Sequence, residues 1–132
     1  MASPYLKPGF LLSRVVNPLL MTFRVVPTLR VRGRTSGEWR TVPVNVLERE
    51  GARYLVAPRG DTQWARNLRA AGSGELRIKG RTEAFSATEV ADTDKQPIVD
   101  AYLARWGSQV KSQFAQLPDP AAHPVFRIDP SA

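Results

Sequence analysis

From Thr28 onward the apolar residues come in short runs at every second position, and each run is closed by glycine or proline. Thr28-Leu29-Arg30-Val31-Arg32 alternates in this way, as does the stretch from Trp39 to Glu48, with Gly33-Arg34-Thr35-Ser36-Gly37 between them. A period of two sends successive side chains to opposite faces of a strand, so each run has one apolar face to bury. Two such runs joined by a glycine-bounded turn predict a hairpin. In the second run Val42, Val44 and Val46 point to the core, and Thr41, Pro43 and Asn45 point away. Pro43 has no N–H for a ladder, which assigns this strand to an edge or to the side of an opening.

The remaining chain reads in the same terms. Glu50-Gly51 turns it into a third strand, Arg53 to Ala57, which ends at Pro58-Arg59-Gly60. Asp61 is the expected N-cap of a helix from Thr62 to Ala71, and Gly72 its stop. A further hairpin, Glu75 to Lys79 and Arg81 to Val90, turns at Gly80. Asp92 is placed to cap a helix from Thr93 to Trp106 that Gly107 ends, followed by a helix to about Leu117 and a strand from Val125 to Ile128. Six mainly antiparallel strands with short flanking helices predict an α+β, barrel-like sheet. A length of 132 residues suits one domain, residues 1–132, because a second core would be too small to hold together.

Residues 9–23 are the most apolar stretch, yet Arg14, Asn17 and Pro18 interrupt it. It is too short and too broken to span a bilayer. Leu12, Val16, Leu19, Leu20 and Phe23 recur at helical spacing, which predicts an amphipathic helix packed on the body. An apolar stripe beside basic residues also suits peripheral contact with an anionic membrane surface.

Charge is distributed unevenly. The net charge is +7, and from Arg24 to Arg81 there are thirteen Arg and Lys against five Asp and Glu, whereas from Thr82 onward there are four against seven. A local positive field attracts phosphates, nucleic acid or anionic lipid. A nucleic-acid module is disfavoured, because no RNP-like or helix-turn-helix pattern is present. The chain has no cysteine, which excludes disulfides, thiolate metal sites and a cysteine nucleophile, and suits a cytoplasmic protein. The single histidine, His123, lies between prolines and reads as a solvated loop residue; alone it builds no metal centre.

Two constellations carry chemistry. In Gly33 to Thr41, glycines let amides turn inward, Thr35 and Ser36 add hydroxyl donors, and Arg34 and Arg40 can fork onto phosphate oxygens. Any polar hairpin turn also needs glycine, so the pattern fits a plain turn as well. In Ala57-Pro58-Arg59-Gly60-Asp61 a loop feeds a helix N-terminus, whose free N–H groups suit an anion or the ring carbonyls of a cofactor. Trp64 reads first as core, while Asn67 is the unexpected amide on that apolar face and must find partners. No acid pair, triad or metal site is legible, so a reactive group would be borrowed from a cofactor.

These residues resemble a known family. Arg32-Gly33-Arg34-Thr35-Ser36-Gly37 with Arg40-Thr41-Val42-Pro43, then Tyr54-Leu55-Val56-Ala57, then Trp64-Ala65-Arg66-Asn67-Leu68-Arg69-Ala70, are similar to the deazaflavin-dependent nitroreductase family of actinobacteria. The resemblance implies a split β-barrel, related to the FMN-binding oxidoreductases, that uses coenzyme F420, with FMN as the alternative cofactor. It implies hydride transfer to a quinone, nitro compound or activated alkene; a cofactor- or lipid-binding protein without turnover is the alternative on the same fold. Carried over, Arg34, Ser36 and Arg40 would contact the phosphate, and Val42 and Pro43 would lie near the ring. Thr35, Gly37 and Thr41 would belong to the same cofactor site, although the family often has lysine where this chain has Thr35. Ala57, Pro58, Arg59 and Gly60 with Trp64 and Asn67 would complete the pocket. On the substrate side this chain has Asn45, Tyr102 and Trp106 as candidates. The implied partner is a small-molecule electron acceptor, and exposed sheet edges leave room for a homodimer.

Overall fold

A computed structural model describes residues 26–131. The amphipathic helix expected over residues 9–23 lies outside them. Seven strands form one sheet: β1 Thr28–Arg32, β2 Trp39–Pro43, β3 Val46–Arg49, β4 Ala52–Val56, β5 Ser73–Ile78, β6 Arg81–Glu89 and β7 Val125–Pro130. Among the described residues two helices accompany them, α1 Gln63–Ala71 and α2 Lys95–Gln116. The strand order is β2-β1-β5-β6-β7-β4-β3, with every neighbouring pair antiparallel.

The stretch expected as one strand from Trp39 to Glu48 is two strands, so the described residues hold seven rather than six. Pro43 cannot continue a ladder, and the N–H of Val44 turns instead to Pro27 O at 3.0 Å. The break has a large consequence. β2 and β3 are the two edges of the sheet, yet only Val44 and Asn45 join them, and two residues span at most about 3.3–3.6 Å each. The sheet must therefore curl until its edges approach, which gives a half-barrel and places Pro43 and Asn45 at its opening.

Two cores follow from the alternation along the strands. Leu55 and Val56 of β4, and Phe126 and Val125 of β7, point to opposite faces. Leu29, Val31, Leu55, Leu76, Phe85, Phe126 and Ile128 pack with Ala65 and Leu68 of α1. Leu47, Val56 and Val125 pack with Ile98, Val99, Tyr102 and Val110 of α2. Helix α1 packs over β1, β5 and β6, and α2 over β3 and β4 at the other end of the sheet. Glu50-Gly51 and Lys79-Gly80 both have two successive positive φ angles (53° and 78°, 51° and 80°), as two-residue hairpin turns of the right hand require.

Several expectations are corrected by packing. The N-cap of α1 is Thr62, not Asp61, whose carboxylate bonds Arg66 Nε at 3.3 Å and Arg69 Nη2 at 3.2 Å. Gly72 does end α1, in the left-handed region, with its N–H on Leu68 O at 2.8 Å. The two helices expected on either side of Gly107 are one helical run, broken at Val110 (φ −119°, ψ 16°). Glycine is tolerated within a helix at a cost of about 1 kcal/mol, and the bend falls instead at Val110, which is buried in the same cluster as Tyr102. Asp92 opens a short 3₁₀ turn and pairs with Lys95 at 2.8 Å.

His123 is not a solvated loop residue. It is fully buried, stacked on Phe114 with ring centroids 4.0 Å apart. Its Nδ1 lies 2.9 Å from Ala57 O and its Nε2 2.6 Å from Leu117 O. The ring therefore ties the end of α2 to the end of β4. Among the described residues, no helix is long and apolar enough to cross a membrane.

Candidate functional site

A cavity of about 870 Å³ opens where the sheet edges meet. Three elements build it: the β1-β2 turn, the segment from Pro58 into the first turns of α1, and the middle of α2 around its bend. Arg34, Arg40 and Arg59 lie in its wall, and no Asp or Glu does among the described residues. Uncompensated guanidinium groups beside an apolar floor favour an anionic ligand.

The β1-β2 turn is closed on itself. Gly33 N–H bonds Glu38 O at 2.8 Å, Gly37 N–H bonds Gly33 O at 2.9 Å, and Glu38 N–H donates to Ser36 Oγ at 3.1 Å. A Cβ on Gly33 would stand 2.9 Å from Ser36 Oγ and 3.5 Å from Arg40 Nε. A side chain at Gly33 would crowd the Ser36 hydroxyl, and Ser36 and Arg40 both line the cavity beside it. Thr35 and Thr41 add hydroxyl-bearing wall. Gly37 lies outside the wall and serves the turn, with φ 76°.

Asn67 finds the partners that its burial demands. Its Oδ1 accepts from the backbone N–H of Arg34 at 3.1 Å and from Arg34 Nη1 at 2.7 Å. Helix α1 thereby holds the basic turn in place across 33 residues of sequence. Trp64 packs against the core near Phe126, with centroids 6.2 Å apart, and also lines the cavity, so it serves both readings. Val42, Pro43 and Pro58 form apolar wall.

Not every expected residue reaches the cavity. Ala57 is fully buried behind it, giving its carbonyl to His123 and to Gly60 N–H. Gly60, buried with φ 93°, shapes the loop without lining it. On the α2 side, Tyr102 is 2% exposed and its Oη accepts from Asn45 Nδ2 at 3.4 Å. Trp106 stays behind, packed on Tyr102 at 5.0 Å. Burial raises the Tyr102 pKa above its ordinary 10.0, with the Asn45 bond pulling weakly the other way. The phenol is therefore kept protonated, and its O–H, not used toward Asn45, is available to a ligand.

Sequence reasoning missed Thr62 and Gln63 at the start of α1 and Gln109, Val110 and Gln113 at the bend of α2. Thr62 was within reach of the helix-start signals; the glutamines carry no local signal, since only the fold of α2 against the sheet opening turns them inward. No group of three or more His, Asp or Glu side chains gathers to hold a metal among the described residues.

A curled antiparallel sheet with an acid-free basic cavity at its opening places the chain in the split-barrel class of FMN-binding-like proteins. Solved structures agree on the fold. A chain described as a domain-swapped dimer is 16% identical at TM-score 0.59, covering 93% of this chain and 100% of its own. An F420-H2-dependent reductase (FDR-A) is 18% identical at TM-score 0.58, covering 80% and 95%. A candidate pyridoxamine 5′-phosphate oxidase from Listeria innocua is 13% identical at TM-score 0.59, covering 89% and 94%. No curated protein matches the sequence. Residues 13–116 match the model of the F420H(2)-dependent quinone reductases, and the chain belongs to that family. It is an oxidoreductase whose cofactor is coenzyme F420, and the residues of the cavity fit such a group: arginines without carboxylates, a glycine cradle that a Cβ would fill, and a buried hydroxyl without a partner at Thr62.

Proposed function

We propose that the protein binds reduced F420 in this cavity and passes hydride to a quinone-like or otherwise conjugated acceptor, nitro compounds and activated alkenes included. The observation that carries the reading is a single cavity with Arg34, Arg40 and Arg59 but no carboxylate in its described wall, and with a buried tyrosine hydroxyl in the same wall. When bound, F420 supplies the hydride. The chain's own residues bind, orient and polarise. Ser36, Arg34 and Arg40 hold the phosphate through charge-assisted bonds. Val42, Pro43 and Trp64 cover the ring and exclude water from the reacting centre.

Tyr102 then serves the acceptor. As hydride arrives at one end of a conjugated acceptor, negative charge grows on its oxygen, and a donor fixed beforehand at that oxygen lowers the barrier. Asn45 is the positioning residue, because its N–H on the Tyr102 oxygen leaves the phenolic O–H free for the acceptor. A two-chain assembly is also proposed, on the analogy of the structural relative described as a swapped dimer.

The test is fluorescence titration with F420 and, separately, FMN, followed by turnover of reduced F420 with menadione. Selective F420 binding, weakened about tenfold or more in Arg40→Ala, with quinone turnover lowered in Tyr102→Phe, supports the reading. Binding of neither cofactor removes it, and tight binding with no turnover across a panel of quinones and enones leaves a carrier in place of an enzyme.

A further inference from the structure

Thr62 combines two properties that no other described cavity residue shares. It forms part of the wall, and its Oγ1 is buried with no hydrogen-bond partner. The residue is only 5% exposed. A threonine N-cap ordinarily accepts an N–H from the first turn of its helix, yet this side chain makes no such bond. The first bond of α1 is Arg66 N–H to Thr62 O at 3.0 Å. The N–H groups of Gln63 and Trp64, both cavity residues, therefore have no acceptor within the helix. Because Thr62 lines the cavity, a ligand held there is a source of the partner that its hydroxyl lacks.

The chemistry of this corner differs from that of the β1-β2 turn. Asp61 precedes Thr62, and its carboxylate, paired with Arg66 and Arg69, already supplies the negative charge that a helix N-terminus favours. A neutral carbonyl asks only for N–H and O–H donors, which the first turn of α1 and Thr62 carry. We propose that Thr62, with the first-turn N–H groups of α1, is a positioning residue that takes the carbonyl edge of the cofactor's heteroaromatic ring. This rests on the cofactor reading above. With the phosphate held at Gly33 to Arg40 and the ring edge held at Thr62, the ring has two fixed points and lies in one orientation.

The test uses the full chain as wild type, Thr62→Val and Thr62→Ser. F420 affinity is read by fluorescence, inorganic phosphate serves as competitor, and the melting of each ligand-free protein is recorded. Thr62→Val has the shape of threonine without the hydroxyl. It is expected to bind F420 about threefold to tenfold more weakly, the worth of one lost hydrogen bond. It should melt as high as wild type or higher without ligand, because a buried hydroxyl with no partner is gone. Thr62→Ser should bind as wild type does, and competition by phosphate should be equal in all three. Thr62→Val binding F420 as tightly as wild type overturns the proposal while leaving the cofactor reading intact. So does a ligand-free Thr62→Val that melts lower than wild type, since the hydroxyl would then have its partner within the protein. A wild-type chain that binds no F420 removes both readings.

Discussion

Asn67→Ala removes the single acceptor through which α1 holds the basic turn. Two bonds end on Asn67 Oδ1, from the Arg34 backbone N–H at 3.1 Å and from Arg34 Nη1 at 2.7 Å. The neutral bond contributes about 1 kcal/mol net. The guanidinium bond would count for more if buried, but the Arg34 side chain reaches solvent and can rehydrate, so about 1 kcal/mol is assigned to it as well. The sum is about 2 kcal/mol. With an unfolding entropy of about 2.1 cal/mol/K per residue, a chain of this length should melt about 7 °C lower. Asn67→Asp keeps the oxygen on which both bonds end and faces a cation, so it should retain most of the stability. The assay is thermal melting by circular dichroism, paired with F420 titration, in which Asn67→Ala should also lose affinity because the turn is no longer held. An Asn67→Ala protein that melts within about 2 °C of wild type refutes the reasoning. So does an Asn67→Asp protein that melts as low as Asn67→Ala, because the loss would then come from packing or the amide nitrogen.

Gly74→Ala is expected to destabilise the protein by about 1–3 kcal/mol, read as a lower urea midpoint, because its Cβ would stand 2.8 Å from Arg30 O and 3.0 Å from Phe85 Cζ in a strand paired on both sides. An unchanged midpoint would mean that β1 and β5 separate at little cost. For Tyr102, the folded pKa lies above the ordinary 10.0. Below about pH 10 both folded and unfolded chains keep the proton and nothing changes. Above it the unfolded tyrosine ionises first, so this group's stability contribution falls as pH rises toward the folded value. Wild type should therefore lose denaturation midpoint more steeply above pH 10 than Tyr102→Phe, and parallel curves would count against the burial of this phenol.

Much of the fold is legible locally. β1 spans Thr28–Arg32 as its alternation predicts, the Glu50-Gly51 and Gly80 turns fall where expected, and Gly72 stops α1. Each is decided within a few residues: a pleat that alternates faces, a backbone angle that glycine tolerates, a helix end that needs a left-handed residue. That the residues after Gly33 belong to one wall was legible for the same reason, since Arg34, Thr35 and Ser36 crowd into one short turn, and all three line the cavity. Asn67 could be marked as needing a partner, but not which one.

What sequence alone left open depends on pairs far apart in the chain. Asn45 meets Tyr102 across 57 residues, and His123 meets Ala57 across 66. A histidine between prolines has the local signature of a loop; its burial comes from the closing of α2 over β4, which no nearby residue encodes. The same closing sets the bend at Val110 rather than at Gly107 and brings Gln109 and Gln113 to the cavity. By itself, then, the sequence of this chain determined most of its strands and turns and the crowding of basic and hydroxyl side chains into the turn after Gly33, because those are settled over short spans. Tertiary structure alone decided the curl of the sheet, the second wall of the cavity and the buried hydroxyl at Thr62, because burial is a property of what the rest of the chain brings alongside.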